Sequence, residues 1–275
     1  MNFKLIKKLS EVAGPSGFED KIRTAIIEEI TPYVDSVSTD NMGNLVAFRK
    51  GTSKKSLMIA AHMDEIGFIV THIDDNGFLK FTTLGGFDPK TLTAQRVIVH
   101  GKKDIVGVMG AKPIHVMTPE ERDKKVTIKD FFIDLGMEKS EVDKIVEIGT
   151  PISRERECIE MGDCINGKSL DNRIAVYILI EVIKNLKEET LPFNTYFTFT
   201  VQEEVGLRGA QVAALKIQPD VAIALDTTIA HDVPGSSPQE QVTKLGAGPG
   251  IKIMDSSVIC NASLVSLMKK VATKK

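Results

Sequence analysis

The chain has 275 residues, 26% of them charged and 42% apolar, with a formal net charge of −2 and a pI near 6.2. Those proportions exclude disordered, collagenous and low-complexity classes, and the near-neutral charge excludes a whole-molecule attraction to nucleic acid or to an anionic membrane. The length suits one large or two modest domains with a substantial core.

Apolar runs such as Leu57–Ala61 fall far short of the ~20 residues that span a bilayer. The N-terminus has no long apolar signal region. Cys158, Cys164 and Cys260 are odd in number and lack C-x-x-C spacing. A disulfide framework or structural zinc site is not expected, and the reducing cytoplasm is the default compartment.

In chain order, Ser16-Gly17-Phe18-Glu19 has capping-box spacing, and the apolar residues from Ile22 to Ile30 predict a helix that ends before Pro32. Asn44–Phe48 and Leu57–Ala61 read as strands, the second continuously apolar as in a sheet covered on both faces. Short β-rich runs follow at Phe68–Ile73, Phe78–Thr82, Arg96–His100 and Ile105–Met109, separated by glycine-containing turns, with a brief helix after Ser140. They predict a small barrel or sandwich. The α/β texture then returns: a helix over Asn172–Leu186, a strand over Phe193–Val201, a helix over Arg208–Leu215, a strand over Val221–Leu225 and a final helix over Leu264–Val271. The predicted organisation is an α/β domain in two parts, residues 1–66 and 163–275, interrupted by a β-rich insertion over 67–162.

Three predicted strands end in groups that can bind metal. His62-Met63-Asp64 follows Leu57–Ala61, Glu203-Glu204 follows Phe193–Val201, and Asp226 ends Val221–Leu225. Ligands of open α/β sheets bind beyond the carboxyl ends of strands. Each feature also has a bland reading: a polar turn for His62 and Asp64, a solvated strand end for the paired acids. Asp171 lies at a predicted helix start, where an acid can cap the helix and complement its dipole. Taken together they favour a divalent-metal hydrolase, because buried carboxylates need a compensating charge. His72, His100, His115 and His231 lie in β-rich or loop segments and carry no such pattern. The glycine-rich run Leu245–Gly250 reads as a turn.

Four segments carry a resemblance: Ala61-His62-Met63-Asp64-Glu65-Ile66-Gly67, Lys168-Ser169-Leu170-Asp171-Asn172-Arg173, Val201-Gln202-Glu203-Glu204-Val205-Gly206-Leu207-Arg208-Gly209-Ala210 and Met254-Asp255-Ser256-Ser257. In this order they resemble the glutamyl aminopeptidase family, which includes the tetrahedral (TET) and deblocking aminopeptidases and some members labelled endoglucanases or cellulases. The resemblance runs from about Gly14 to the final helix. It implies an aminopeptidase-like α/β fold with a doubly covered sheet, interrupted by a PDZ-like β-barrel used for dimerisation, with dimers assembling into a dodecamer. It implies two divalent ions, zinc or cobalt. Asp171 would bridge them, His62 and Asp226 would complete one site, and Glu204 would serve the other. Glu203 would be the general base and Asp64 the partner that orients His62. The Asp171–Asn172 peptide would be cis.

Members of that family continue for several tens of residues past the equivalent of Lys275, through a glycine-rich pocket loop and a final histidine ligand. On this basis the chain is expected to be C-terminally truncated and to complete one metal site, with the Glu204 site weak or empty. Three functions stand as expectations: an aminopeptidase acting on peptides; a truncated, weakly active or inactive dimerising relative; and an endoglucanase using Glu203 and Asp226. The last is disfavoured because the chain has no Trp to stack on sugar rings and leaves His62 without a task.

Overall fold

A computed structural model describes residues 1–274; Lys275, the end of the second predicted α/β segment, lies outside the described residues. The chain divides into one unit over Met1–Thr227 and another from Thr228.

The first unit opens with α1 (Phe3–Glu11) and α2 (Asp20–Ile30), whose Leu5, Ile6, Leu9, Ile22, Ile26 and Ile30 are buried at helical spacing. Pro32 sits in a 3₁₀ turn that ends α2. The capping box is not realised: α2 has no side-chain cap at Glu19, and the Ser16 hydroxyl donates to Asp64 Oδ2 at 2.7 Å. Three strands follow, β1 (Ser36–Thr39), β2 (Leu45–Arg49) and β3 (Ser56–His62).

Next come the six strands of a closed antiparallel barrel: β4 (Gly67–Ile73), β5 (Leu79–Leu84), β6 (Arg96–His100), β7 (Asp104–Ala111), β8 (Phe131–Asp134) and β9 (Pro151–Arg154). Two one-turn helices, α3 (Pro119–Arg122) and α4 (Lys139–Val142), lie in their connections. The barrel has its own core around Phe68, Val97, Val99, Phe131, Ile133 and Ile152. The sequence reading does not include β8 and β9, since each is only four residues long and β9 opens on a proline. A hairpin of β10 (Ile159–Met161) and β11 (Cys164–Asn166) leads back out.

The chain then forms α5 (Leu170–Asn185), β12 (Asn194–Thr200), α6 (Arg208–Ile217) and β13 (Val221–Ala224). The main sheet has the order β1-β2-β12-β3-β13, with β12 and β13 both parallel to β3 and the other pairings antiparallel. Phe197 and Phe199 of β12 join the core with α1, α2 and α5. Thr198, on the alternate face, is buried as well, and α6 also contacts β12 and β3. The architecture is α/β with both sheet faces covered and a barrel inserted between β3 and α5.

In the second unit, α7 (Ala262–Ala272) is capped by Asn261, whose Oδ1 accepts from Leu264 N at 3.0 Å. Met254 and Ile259 form an isolated bridge around the Asp255 turn. Among the described residues no helix is long and apolar enough to cross a membrane.

Candidate metal centre

Parallel pairing brings three chain segments to one rim of the sheet. Thr200 pairs with His62 in the β12–β3 ladder, and Ala224 pairs with Ala60 in β13–β3. Gln202–Glu204, His62–Asp64 and Asp226 therefore leave the sheet side by side. A fourth group arrives from α5. Asn172 Nδ2 donates to Leu225 O at 2.9 Å, the Asp171–Asn172 peptide is cis, and both residues have non-helical backbone angles.

His62 is 3% exposed, and its Nε2 lies 3.1 Å from Asp171 Oδ1, 3.8 Å from Asp226 Oδ1 and 3.9 Å from Glu203 Oε2. Burial works to lower the His62 pKa, but contact with Asp171 and Asp64 and the charge of Glu203 carry it up to about 10. Asp171 is held low by the His62 hydrogen bond. Burial raises Glu203, with Asp226, Asp64 and Asp171 adding to the effect. Burial and the charge of Asp171 push Glu204 up to about 7. The rim concentrates negative charge that the protein itself only partly balances.

His62 Nδ1 is 3.4 Å from Asp64 Oδ1 but makes no hydrogen bond among the described residues, so this contact is an ion pair with loose geometry. The Asp64 oxygens also accept the backbone N–H of Glu203 at 3.0 Å and of Glu204 at 3.2 Å. Glu19 Oε1 accepts the N–H of Gln202 at 3.2 Å, and Asn44 Oδ1 that of Val201 at 3.0 Å. Four successive amides, 201–204, thus end on side chains from distant elements, and these side chains fix the direction of both glutamates. Ser16, Glu19 and Asn44 carry no local sequence signal for this task, because each acts through the chain fold alone.

Beneath the rim, Glu65 accepts two hydrogen bonds from Lys168 Nζ, at 2.7 and 2.8 Å, and one from the Ser169 hydroxyl. Arg173 donates to the carbonyls of Met63, Leu9 and Val12 at 2.8, 2.6 and 2.8 Å. All three charged side chains are buried. Burial would raise the Glu65 pKa, but the charges of Lys168 and Arg173 keep it ionised. This network locks α1, the Asp64 turn and the start of α5 together.

A cleft of about 350 Å³ opens beside Asp171 and Glu204, lined also by Ile66, Gly86, Arg154 and Leu170. At its edge Gly85 has φ +88°, and a Cβ there would lie 2.5 Å from Ile66 Cγ2 and 3.2 Å from Glu204 Cβ. His100, by contrast, is engaged by Asp104 and Ser153 at 2.8 and 2.9 Å.

The donor set fits a divalent cation. Ligand atoms of His62, Asp171 and Asp226 all lie within 4.8 Å of one another, as do those of His62, Glu203 and Glu204. A tetrahedral zinc with bonds of about 2.0–2.2 Å places its ligands about 3.3–3.6 Å apart. The 3.1 and 3.8 Å separations around His62 Nε2 need shifts of only tenths of an ångström. One imidazole nitrogen serves one ion, so the two groups cannot both take His62.

The profile of the M42 glutamyl aminopeptidase family matches residues 43–275. The lysyl aminopeptidase of Pyrococcus furiosus is 34% identical, over 100% of this chain and 79% of its own length. The crystal structure of a TET aminopeptidase from the marine sediment archaeon Thaumarchaeota archaeon SCGC AB-539-E09 matches with a TM-score of 0.95 at 39% identity, covering 99% of this chain and 78% of that one. The TET1 peptidase of Pyrococcus horikoshii, which can assemble into a tetrahedron or a large octahedral shell, matches with a TM-score of 0.89 at 34% identity, covering 99% and 81%.

Proposed function

The chain belongs to the M42 glutamyl aminopeptidase family, and from that premise we propose that it releases N-terminal residues from peptides at a divalent-metal centre on the rim of the main sheet. The observation that carries this reading is the convergence of His62, Asp171, Asp226, Glu203 and Glu204 at the ends of three adjacent strands and one helix. His62, Asp171 and Asp226 are the residues that would hold the first ion, with Asp171 shared and Glu204 opposite. Glu204, with the shared Asp171, would serve a second ion.

Bound zinc or cobalt would supply polarisation of the scissile carbonyl and a more acidic water. Glu203, whose pKa is raised by burial and neighbouring carboxylates, is suited to take a proton from the attacking water and hand it to the leaving amine. Asp64 holds the Glu203 amide in place through that step. The surplus of carboxylates favours the free α-ammonium of a peptide over an internal bond. Residues 67–162 form the dimerisation part of the reading; Val106 and Val108, exposed on β7, support it. Glycoside hydrolysis gives His62 no task and has no Trp to stack on a sugar ring.

The test is release of free amino acid from unblocked peptides with added zinc or cobalt. Release should stop with chelator, with N-acetylated peptides and in Glu203→Gln. Release that is indifferent to all three would overturn the proposal.

A further inference from the structure

Family membership leaves the preferred peptide open, since the matching profile is described as glutamyl and the Pyrococcus furiosus relative as lysyl. Arg154 offers a physical basis for choosing. It reaches the Asp171–Glu204 cleft from β9, so the barrel, not the main sheet, supplies it. Its guanidinium lies 5.7 Å from the Phe87 ring centroid, and Phe87 is stacked on Phe68 at 4.3 Å. That contact braces the head group against a ring face and consumes no N–H donor. Among the described residues its Nε is buried without a hydrogen-bond partner. Glu65 and Glu204 act on it through charge alone, and Glu65 is already occupied by Lys168 and Ser169.

An unsatisfied buried donor is costly, and the planar fork of a guanidinium matches a carboxylate with two parallel bonds. The cleft volume is ample for one amino-acid side chain. With Asp171 and Glu204 committed to cations, Arg154 is the charged group left among the described residues that line the cleft. We infer that Arg154 recognises a carboxylate of the peptide, carried either by an acidic N-terminal side chain or by the C-terminus of a short peptide. The inference rests on the peptidase reading.

Peptide analogues with a reduced, uncleavable first bond test it by calorimetry on the zinc-loaded chain. The first arm compares N-terminal Glu with Gln, both C-terminally amidated. The second compares N-terminal Leu analogues with free and amidated C-termini. In one of the two arms the acid should bind about tenfold or more tighter than its neutral counterpart, and that arm identifies the source. The ratio should fall to near one in Arg154→Met and be partly kept in Arg154→Lys. Equal binding in both arms overturns the inference while leaving the peptidase reading intact. So does an unchanged ratio in Arg154→Met, even if every analogue weakens, because the arginine would then only balance the acidic rim. Failure of every analogue to bind overturns the peptidase reading and the inference together.

Discussion

Asp64 has two oxygens and three donors: the Ser16 hydroxyl and the amides of Glu203 and Glu204. A carboxylate that is fully buried persists only when its lone pairs are met in this way. Ser16→Ala removes one hydrogen bond to a charge, and we expect a loss of about 1.5–3 kcal/mol in denaturant unfolding. A change within error would mean that the two amides alone suffice. The titration of the rim gives a second prediction, for the metal-free chain. Glu204 rises from 4.5 to about 7 and His62 from 6.5 to about 10 on folding. Both folded values exceed the unfolded ones, so each contribution to stability is complete at low pH and is lost as pH rises, Glu204 between 4.5 and about 7 and His62 between 6.5 and about 10. Thermal midpoints measured in chelator should therefore drift down over that range, and Glu204→Gln should flatten the acid half of the drift. Cation affinity should run the other way and rise with pH, because His62 must release its proton to bind.

At the scale of elements, the start of α5 is held by ions from below. Lys168 and Glu65 are 4% and 1% exposed and meet at 2.7 Å, and Arg173 lies 3.8 Å from the same carboxylate. Glu65→Gln leaves two buried cations without their counter-ion, and a loss of about 3–5 kcal/mol is expected by chemical denaturation. Less than about 1 kcal/mol would show that the carbonyls around Arg173 carry the junction unaided. Gly85→Ala is a sharper probe of the rim: its positive φ resists a side chain, and the new Cβ presses on Ile66 and Glu204. We expect weaker cation binding with little change in far-UV spectrum.

The strands that bear the site were legible in the sequence, because β3 and β13 carry apolar runs, β12 alternates aromatic residues with threonines, and all three lead into chemistry-bearing residues. Parallel pairing then converts three strand ends into one rim. The Ser16–Glu19 spacing misled for a physical reason. A serine hydroxyl close to a helix start can cap it, but a buried carboxylate 48 residues away is the stronger acceptor. The short barrel strands β8 and β9 lack the length on which a period-2 pattern can register, and their pairing comes from closure of the barrel. Arg154 had no motif to mark it; only closure brings β9 to the cleft.

At the scale of the molecule, β7 directs Met109 into the barrel core while Val106 and Val108 point outward, 52% and 44% exposed. Exposed β-branched residues on a barrel strand suit an interface between copies. Light scattering of Val106→Asp/Val108→Asp should report a smaller particle than the parent chain, with the circular dichroism unchanged. Equal sizes would move the interface elsewhere on the surface.

Hydrolysis at the rim requires that it hold a metal ion. Elemental analysis after dialysis against trace zinc, then against metal-free buffer, measures this directly. At least one ion should be retained per chain, and that ion should be lost in both His62→Ala and Asp171→Ala. A parent chain that retains no zinc, or variants that retain as much as the parent, would contradict it.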